Sequence, residues 1–120
     1  MENFRSLTSI PSFTAPDGAQ LQELAGRSNG FTSHSLAVIV HPPGTAATEH
    51  HHTIADEVYL VSSGRGRVRV DGVTREVGPS DVVLIRPGQR HKVWNDGPAD
   101  LALVVTCAPA YDVGEVVWDE

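Results

Sequence analysis

Cysteine is almost absent from this 120-residue chain, which contains only Cys107. A single cysteine excludes a disulfide within the chain, and nothing else in the sequence requires an oxidising compartment. Because Cys107 ends an apolar run, we expect it to be a small buried residue.

Positive charge is also scarce. Lysine and arginine together number 9 against 15 aspartate and glutamate residues, which gives a net charge of -6. Without a basic surplus, we expect the chain to bind neither nucleic acid nor an anionic membrane surface. No stretch reaches the apolar length of a transmembrane helix, and residues 1–13 lack the basic start and apolar core of a signal peptide. We therefore expect a cytoplasmic protein.

Sustained helical periodicity is missing as well. Only Gly18–Gly26 carries a short helical pattern, and an edge strand or loop fits that segment equally well. Elsewhere, short β-branched runs alternate with turn residues, which predicts an all-β sandwich or barrel, and Asp71-Gly72 is a strong hairpin signal. The length suits one domain over residues 1–120, with a core barrel at about 33–107. The strands expected are 33–41, 57–62, 65–71, 74–77, 81–86, 91–95 and 100–107.

The most informative pattern is the spacing Gly44-x5-His50-x-His52-x4-Glu57-x6-Gly64. In an extended strand, residues two apart point to the same face, so the two histidines can aim their imidazoles at one point. Glu57 follows a short turn and can bring a carboxylate to that point from the next strand. Neutral imidazole and carboxylate are ligands of divalent transition metals, so the pattern predicts a metal site.

A fourth candidate ligand lies further along, in the segment PGQRHKVWN. There the Pro87-Gly88 turn precedes a strand that begins near His91. Proline and glycine fix the bend of the backbone, so the turn can direct the His91 imidazole toward the other three groups.

These two segments resemble the motifs of the cupin family. The first motif, G(x)5HxH(x)3-4E(x)6G, is matched at every specified position between residues 44 and 64. The second, G(x)5PxG(x)2H(x)3N, is matched at Gly88, His91 and Asn95, whereas Ser80 and Arg86 replace its first glycine and first proline. The resemblance implies a double-stranded β-helix, or jelly-roll barrel, with terminal segments packed on the barrel or on a partner.

The resemblance also implies that His50, His52, Glu57 and His91 bind one divalent transition metal. Iron, manganese, nickel, copper, cobalt and zinc all suit this donor set. In an octahedral ion, four protein ligands leave two positions for water, dioxygen or a chelating substrate. We expect metal loss below about pH 6, where the imidazoles protonate.

Residues near these ligands are candidates for a second sphere. Tyr59 lies two residues after Glu57, so strand parity places it on the metal face, where it either donates to a substrate or packs in the barrel. His34 and His41 face opposite sides of their strand, and we name His41 as a candidate second-sphere acid or base. Parity turns His51 away from the metal.

A metal-dependent enzyme acting on a small organic molecule is the function that these features favour. Dioxygenase-like chemistry ranks first, because two open positions suit oxygen and a chelating substrate together. The alternatives are a non-redox isomerase, cyclase or decarboxylase, and a non-catalytic module that binds metal and ligand; the fold does not choose among them. The resemblance further implies a homodimer, and the apolar stretch 111–120 packs either on its own barrel or on a neighbour.

Overall fold

The computed structural model describes residues 3–120. Over these residues the chain forms eleven β-strands and three short 3-10 helices (Leu7–Ser9, Arg27–Asn29 and Val113–Glu115), with no α-helix. None of the described helices is long and apolar enough to cross a membrane. The strands are β1 (Phe13–Thr14), β2 (Gln20–Ala25), β3 (Ser35–His41), β4 (His50–His52), β5 (Asp56–Ser63), β6 (Gly66–Val70), β7 (Val73–Val77), β8 (Val82–Ile85), β9 (His91–Trp94), β10 (Leu101–Ala108) and β11 (Val116–Trp118).

The strands form two antiparallel sheets, which confirms the all-β jelly-roll prediction. A six-stranded sheet has the order β1-β2-β3-β10-β5-β8, and a five-stranded sheet has the order β11-β4-β9-β6-β7. Inward-facing residues alternate with outward-facing ones, as the period of two requires. In β10, for example, Leu101, Leu103 and Val105 are buried in the core between the sheets, whereas Ala102 and Val104 are half-buried on the outer face.

Local turn chemistry sets several strand boundaries. Asp71 and Gly72 both have positive φ (47° and 81°), and they join β6 to β7 in the two-residue hairpin expected from the sequence. Ser80, which replaces a motif glycine, also has a positive φ of 74°, so the turn keeps a glycine-like conformation despite the substitution.

Gly64, the last glycine of the first motif, shows why that position excludes a side chain. Its φ is 81°, and a Cβ atom there would lie 2.1 Å from the carbonyl oxygen of Asp100. The close approach closes β5 against the start of β10 at the edge of the core.

For two segments, strand pairing shows the structure that the local sequence pattern left open. The open assignment of Gly18–Gly26 is settled as strand, because Gln20–Ala25 pairs antiparallel with β3. The stretch 111–120 packs on its own barrel, where β11 pairs antiparallel with β4 over three residues. Strand β4 therefore lies between β11 and β9 in the five-stranded sheet.

Candidate metal centre

Three of the four expected ligands come from two consecutive strands. His50 and His52 share one face of β4, and Glu57 is the second residue of β5, after a short connection. Together with His91 they each offer one ligand atom, and these four atoms all lie within 4.8 Å of one another. The structure thus brings together the whole set that the sequence predicted.

His91 reaches the cluster through strand pairing and through its turn. The first residue of β9, His91 is the direct partner of His50 across the sheet. The Pro87-Gly88 turn docks on the ligand strand, where the Gly88 N–H donates to the carbonyl of His52 at 2.7 Å. The turn therefore fixes β9 relative to β4, as its proline and glycine suggested.

Three of the four clustered residues are buried, and each of these three has a donor atom without a hydrogen-bond partner among residues 3–120. The side chains of His52, Glu57 and His91 are 2%, 7% and 0% exposed. Glu57 lies 3.6 Å from His52 Nε2, beyond hydrogen-bond distance, and 2.9 Å from His91 Nε2, but Glu57 Oε1 and both of these Nε2 atoms make no hydrogen bond among the described residues. Buried polar atoms that converge without partners fit a bound cation, because they are costly otherwise. The residues present therefore could hold a divalent metal ion.

Two of the three imidazoles are oriented by backbone carbonyls. His50 Nδ1 lies 2.8 Å from the carbonyl of Thr48, and His91 Nδ1 lies 2.9 Å from that of Gln89. A carbonyl accepts only from a protonated nitrogen, so each ring carries its proton on Nδ1 and presents Nε2 as the metal-binding atom.

Burial and the charges within the cluster shift the pKa values of its members in different directions. Burial lowers the pKa of His50, and the nearby His91 lowers it further, so His50 is neutral at pH 7. Burial raises the pKa of Glu57, but contacts with His91 and His52 outweigh this and give a net lowering, so the carboxylate is ionised. For His91, burial lowers the pKa, but contact with the Glu57 carboxylate outweighs burial and raises it overall.

Two protonated groups surround the Glu57 carboxylate. The Cys107 thiol donates to Glu57 Oε2 at 3.2 Å, and burial together with the Glu57 charge raises its pKa far above the ordinary range. Tyr59 is buried on the same face, with its ring 6.1 Å from that of His91, as parity predicted. Burial and the Glu57 charge also raise the pKa of Tyr59. Both groups stay protonated, and the hydrogen bond from the Cys107 thiol favours the ionised form of Glu57.

Two aromatic side chains from the end of the chain flank the ligands, and sequence reasoning did not assign them to the site. The Tyr111 ring lies 5.9 Å from that of His52, and the Trp118 ring lies 5.3 Å from that of His50. Tyr111 and Trp118 are exposed, at 42% and 54%, although His52 is buried and His50 is half-buried. We call this exposed pair beside the cluster the aromatic rim (Tyr111 and Trp118).

Two other histidines named from the sequence lie away from the cluster. Ser35 of β3 and Glu57 of β5 both pair with the same residue of β10, Cys107. His41 lies six residues further along β3 than Ser35, which is about 20 Å along the strand. Such a position does not support the second-sphere role expected for His41. His51 is placed outside the four-residue cluster, 2.9 Å from Asp119.

Two surface concavities lie outside this centre. One, of about 440 Å³, is lined by residues that include Arg67 and Asp96, which form an ion pair. The other, of about 550 Å³, includes Arg69 and Glu49, which are also paired. Neither contains any of the four clustered residues; of these four, His50 alone is half-buried, and the exposed Trp118 ring lies beside it.

Comparison with known proteins places this architecture in a family. Residues 37–107 match the family model of the Cupin domain. The chain is 30% identical over 104 residues to an uncharacterized protein of Methanocaldococcus jannaschii, covering 85% of this chain and 82% of that one. It is 29% identical to the tetracenomycin polyketide synthase protein TcmJ of Streptomyces glaucescens, covering 92% of this chain and 76% of the relative. Among solved structures, the polyketide cyclase RemF of Streptomyces resistomycificus superimposes with a TM-score of 0.79 at 18% identity, covering 90% of this chain and 80% of RemF. This chain belongs to the cupin family.

Proposed function

We propose that the chain is a metal-dependent enzyme that acts on an enolisable polycarbonyl compound and promotes its cyclisation without net redox change. The observation that carries this proposal is the convergence of four donor atoms, three of them on buried side chains and one on half-buried His50, beside an exposed aromatic rim. A divalent ion bound there would supply Lewis acidity to a carbonyl or enolate oxygen of the substrate. The names printed for TcmJ and RemF, which tie those proteins to polyketide chemistry, support the choice of substrate class.

The side chains have distinct tasks in this proposal. The ionised Glu57 and three imidazoles would hold the ion, while Tyr59 and Cys107 remain protonated and the Cys107 thiol, by donating to Glu57, helps to keep it anionic. Tyr111 remains protonated too, because burial and the Glu57 charge raise its pKa, so it can donate to a substrate oxygen. Planar conjugated substrates stack well on aromatic faces, which the rim provides.

Dioxygenase-like chemistry, the first expectation from the sequence, is the second candidate. Three imidazoles and one carboxylate also bind iron and manganese, although with lower affinity than zinc, so the donor set is compatible with oxygen chemistry. The comparisons name decarboxylase-like and cyclase proteins among the similar structures, which is why we place the non-redox reaction first.

An anaerobic turnover assay separates these candidates. Protein loaded with Zn²⁺, Mn²⁺ or Fe²⁺ is incubated with linear 1,3,5-triketones, and ring-closed products are followed by mass spectrometry, with and without oxygen. We expect cyclisation without oxygen in the wild type and none in His52→Ala. Product formation only with oxygen uptake would establish the dioxygenase instead, and metal and ligand binding without turnover would establish a binding module.

We also propose that the chain is a cytoplasmic homodimer that pairs through the outer face of its six-stranded sheet. Leu60, Val82 and Leu84 are exposed there at 41%, 55% and 61%, and Leu60 is directly opposite Val82. Half-buried Val104 continues the same row. The apolar row of these four residues is complementary to a second copy of itself, and an isologous contact needs no other partner.

The oligomeric state tests this second proposal. By light scattering after size exclusion, we expect the wild type at twice the chain mass and the double variant Leu60→Glu/Leu84→Glu at the chain mass. Ile54→Glu is the matched control, because Ile54 is similarly exposed (64%) but lies outside the sheet. A monomeric wild type, or a dimer that survives both charges, contradicts this interface.

A further inference from the structure

We infer that Glu115 is a positioning residue for the metal ligand His52, fixing the proton and the orientation of that imidazole. The inference rests on the proposed metal centre and adds to it a carboxylate from a distant part of the chain. Glu115 belongs to neither motif, and its role emerges only from the fold.

The three ligand histidines differ in what faces their Nδ1 atoms. The rings of His50 and His91 each have a backbone carbonyl within hydrogen-bond distance of Nδ1. His52 has none: both of its ring nitrogens are buried and without hydrogen-bond partners among residues 3–120. The group that faces His52 Nδ1 is a carboxylate oxygen, Oε1 of Glu115, at 3.6 Å. That oxygen is also buried and without a partner.

The backbone holds the Glu115 carboxylate in this place. Glu115 ends the 3-10 helix Val113–Glu115, which Asp112 caps by accepting from the Gly114 N–H at 2.9 Å. Its carbonyl accepts from the Thr53 N–H at 3.2 Å, and its Oε2 accepts from the Ile54 N–H at 2.9 Å.

These contacts anchor one carboxylate oxygen on the backbone just beyond β4. The other oxygen, Oε1, is left directed at the imidazole of the last residue of β4, His52. The side chain of Glu115 is only 10% exposed, so water competes weakly for that oxygen.

The chemistry of a metal-bound imidazole needs such an acceptor. A ring that binds a cation through Nε2 carries its proton on Nδ1, and a carboxylate facing that proton fixes the tautomer and increases the basicity of Nε2. At 3.6 Å the pair is about 0.5 Å longer than a hydrogen bond, a gap that a small side-chain rotation closes. The second carboxylate would also balance the positive charge that Glu57 alone would leave on a divalent ion.

The segment that carries Glu115 provides a matched control. Asp119 lies at the other end of β11 and contacts His51, the non-ligand histidine of β4, at 2.9 Å and Arg90 at 3.5 Å. Glu115→Gln and Asp119→Asn therefore each remove one negative charge next to an end of β11, but only Glu115 contacts a metal ligand. Glutamine retains an acceptor for the Ile54 N–H, which limits local disruption.

The test is Zn²⁺ affinity, measured on the full chain by competition with a chromogenic chelator. We expect Glu115→Gln to weaken binding about 10- to 100-fold, and Asp119→Asn to change it less than about twofold. Long-range ¹H–¹⁵N spectra of the zinc-loaded protein should show a shift of one Nδ1–H resonance, that of His52, in Glu115→Gln. Thermal unfolding of the metal-free variants should remain close to that of the wild type.

The possible failures are distinguishable. Unchanged zinc affinity in Glu115→Gln, with binding lost in His52→Ala, overturns this inference and leaves the metal centre standing. Equal weakening in Glu115→Gln and Asp119→Asn, with lower stability of both metal-free proteins, overturns it in favour of a purely structural segment. A wild type that binds no zinc, or His52→Ala that binds it equally well, overturns the metal centre and this inference together.

Discussion

Replacing His52 with leucine should stabilise the metal-free protein while removing its response to metal. The imidazole of His52 is 2% exposed, and both ring nitrogens lack hydrogen-bond partners among the described residues. A buried polar group left unpaired costs about 1–3 kcal/mol, and leucine fills a similar volume with apolar atoms. The loss of the facing Glu115 contact offsets part of that gain, so we expect a net stabilisation of about 1–2 kcal/mol.

Bound metal should reverse the order of thermal stability of the wild type and His52→Leu. A ligand at 100 times its dissociation constant stabilises the folded state by about 2.7 kcal/mol, and only the wild type retains the full donor set. Thermal unfolding at pH 8 should therefore show the variant melting roughly 3–8 °C above the wild type in chelator, but at or below it in excess Zn²⁺.

His51→Leu is the control for this experiment. His51 neighbours the ligand in sequence but contacts Asp119 instead of the cluster, so this variant should keep the full zinc-dependent rise. The reasoning is refuted if His52→Leu is less stable than the wild type in chelator, or if zinc raises the melting temperatures of both equally.

Three further predictions concern two turn positions and a buried histidine outside the cluster. Gly64→Ala should destabilise the chain by at least ~2 kcal/mol in urea unfolding, because its Cβ would meet the Asp100 carbonyl at 2.1 Å and its φ is positive; a loss below ~0.5 kcal/mol contradicts this. Ser80→Gly should instead be neutral or stabilising by up to ~1 kcal/mol, because it relieves a left-handed serine on an exposed turn, and a clear loss of stability would count against the strain. Burial lowers the pKa of His41, against an opposing effect of Asp17, so its stabilising contribution is present above about pH 6.5 and lost as pH falls to the folded pKa. NMR titration of metal-free protein should show the His41 ring titrating below 6.5, and a midpoint above that value contradicts the burial argument.

Local chemistry accounts for what the sequence predicted well. Turn residues bound each predicted strand within about two residues, as in 33–41 against Ser35–His41, because proline, glycine and aspartate punctuate the backbone directly. The period of two then assigned faces correctly, and it placed Tyr59 on the same side as Glu57. The cupin family and the jelly-roll fold are confirmed.

Long-range geometry accounts for what the sequence did not reveal. Parity tells which face of a strand a residue occupies but not which end of the sheet, and His41 is at the end away from Glu57. Glu115 and Trp118 reach the site because β11 pairs with β4, which lies more than 60 residues earlier in the chain. No local sequence pattern predicts such a long-range contact. The short helical pattern in Gly18–Gly26 fits a helix, an edge strand or a loop equally well, and only the pairing with β3 shows that the segment is a strand.

The pairing of β4 has a consequence for the kinetics of metal exchange. Strand β4 is joined to β9 by a single residue pair and the Gly88–His52 hydrogen bond, whereas all the pairing on its other side is with the three-residue edge strand β11. Short edge elements open locally at a lower free energy than a central sheet such as β3-β10-β5. We therefore expect metal release to be timed by fraying of β11 and β4, with a rate that becomes independent of chelator concentration, while the rest of the barrel stays folded.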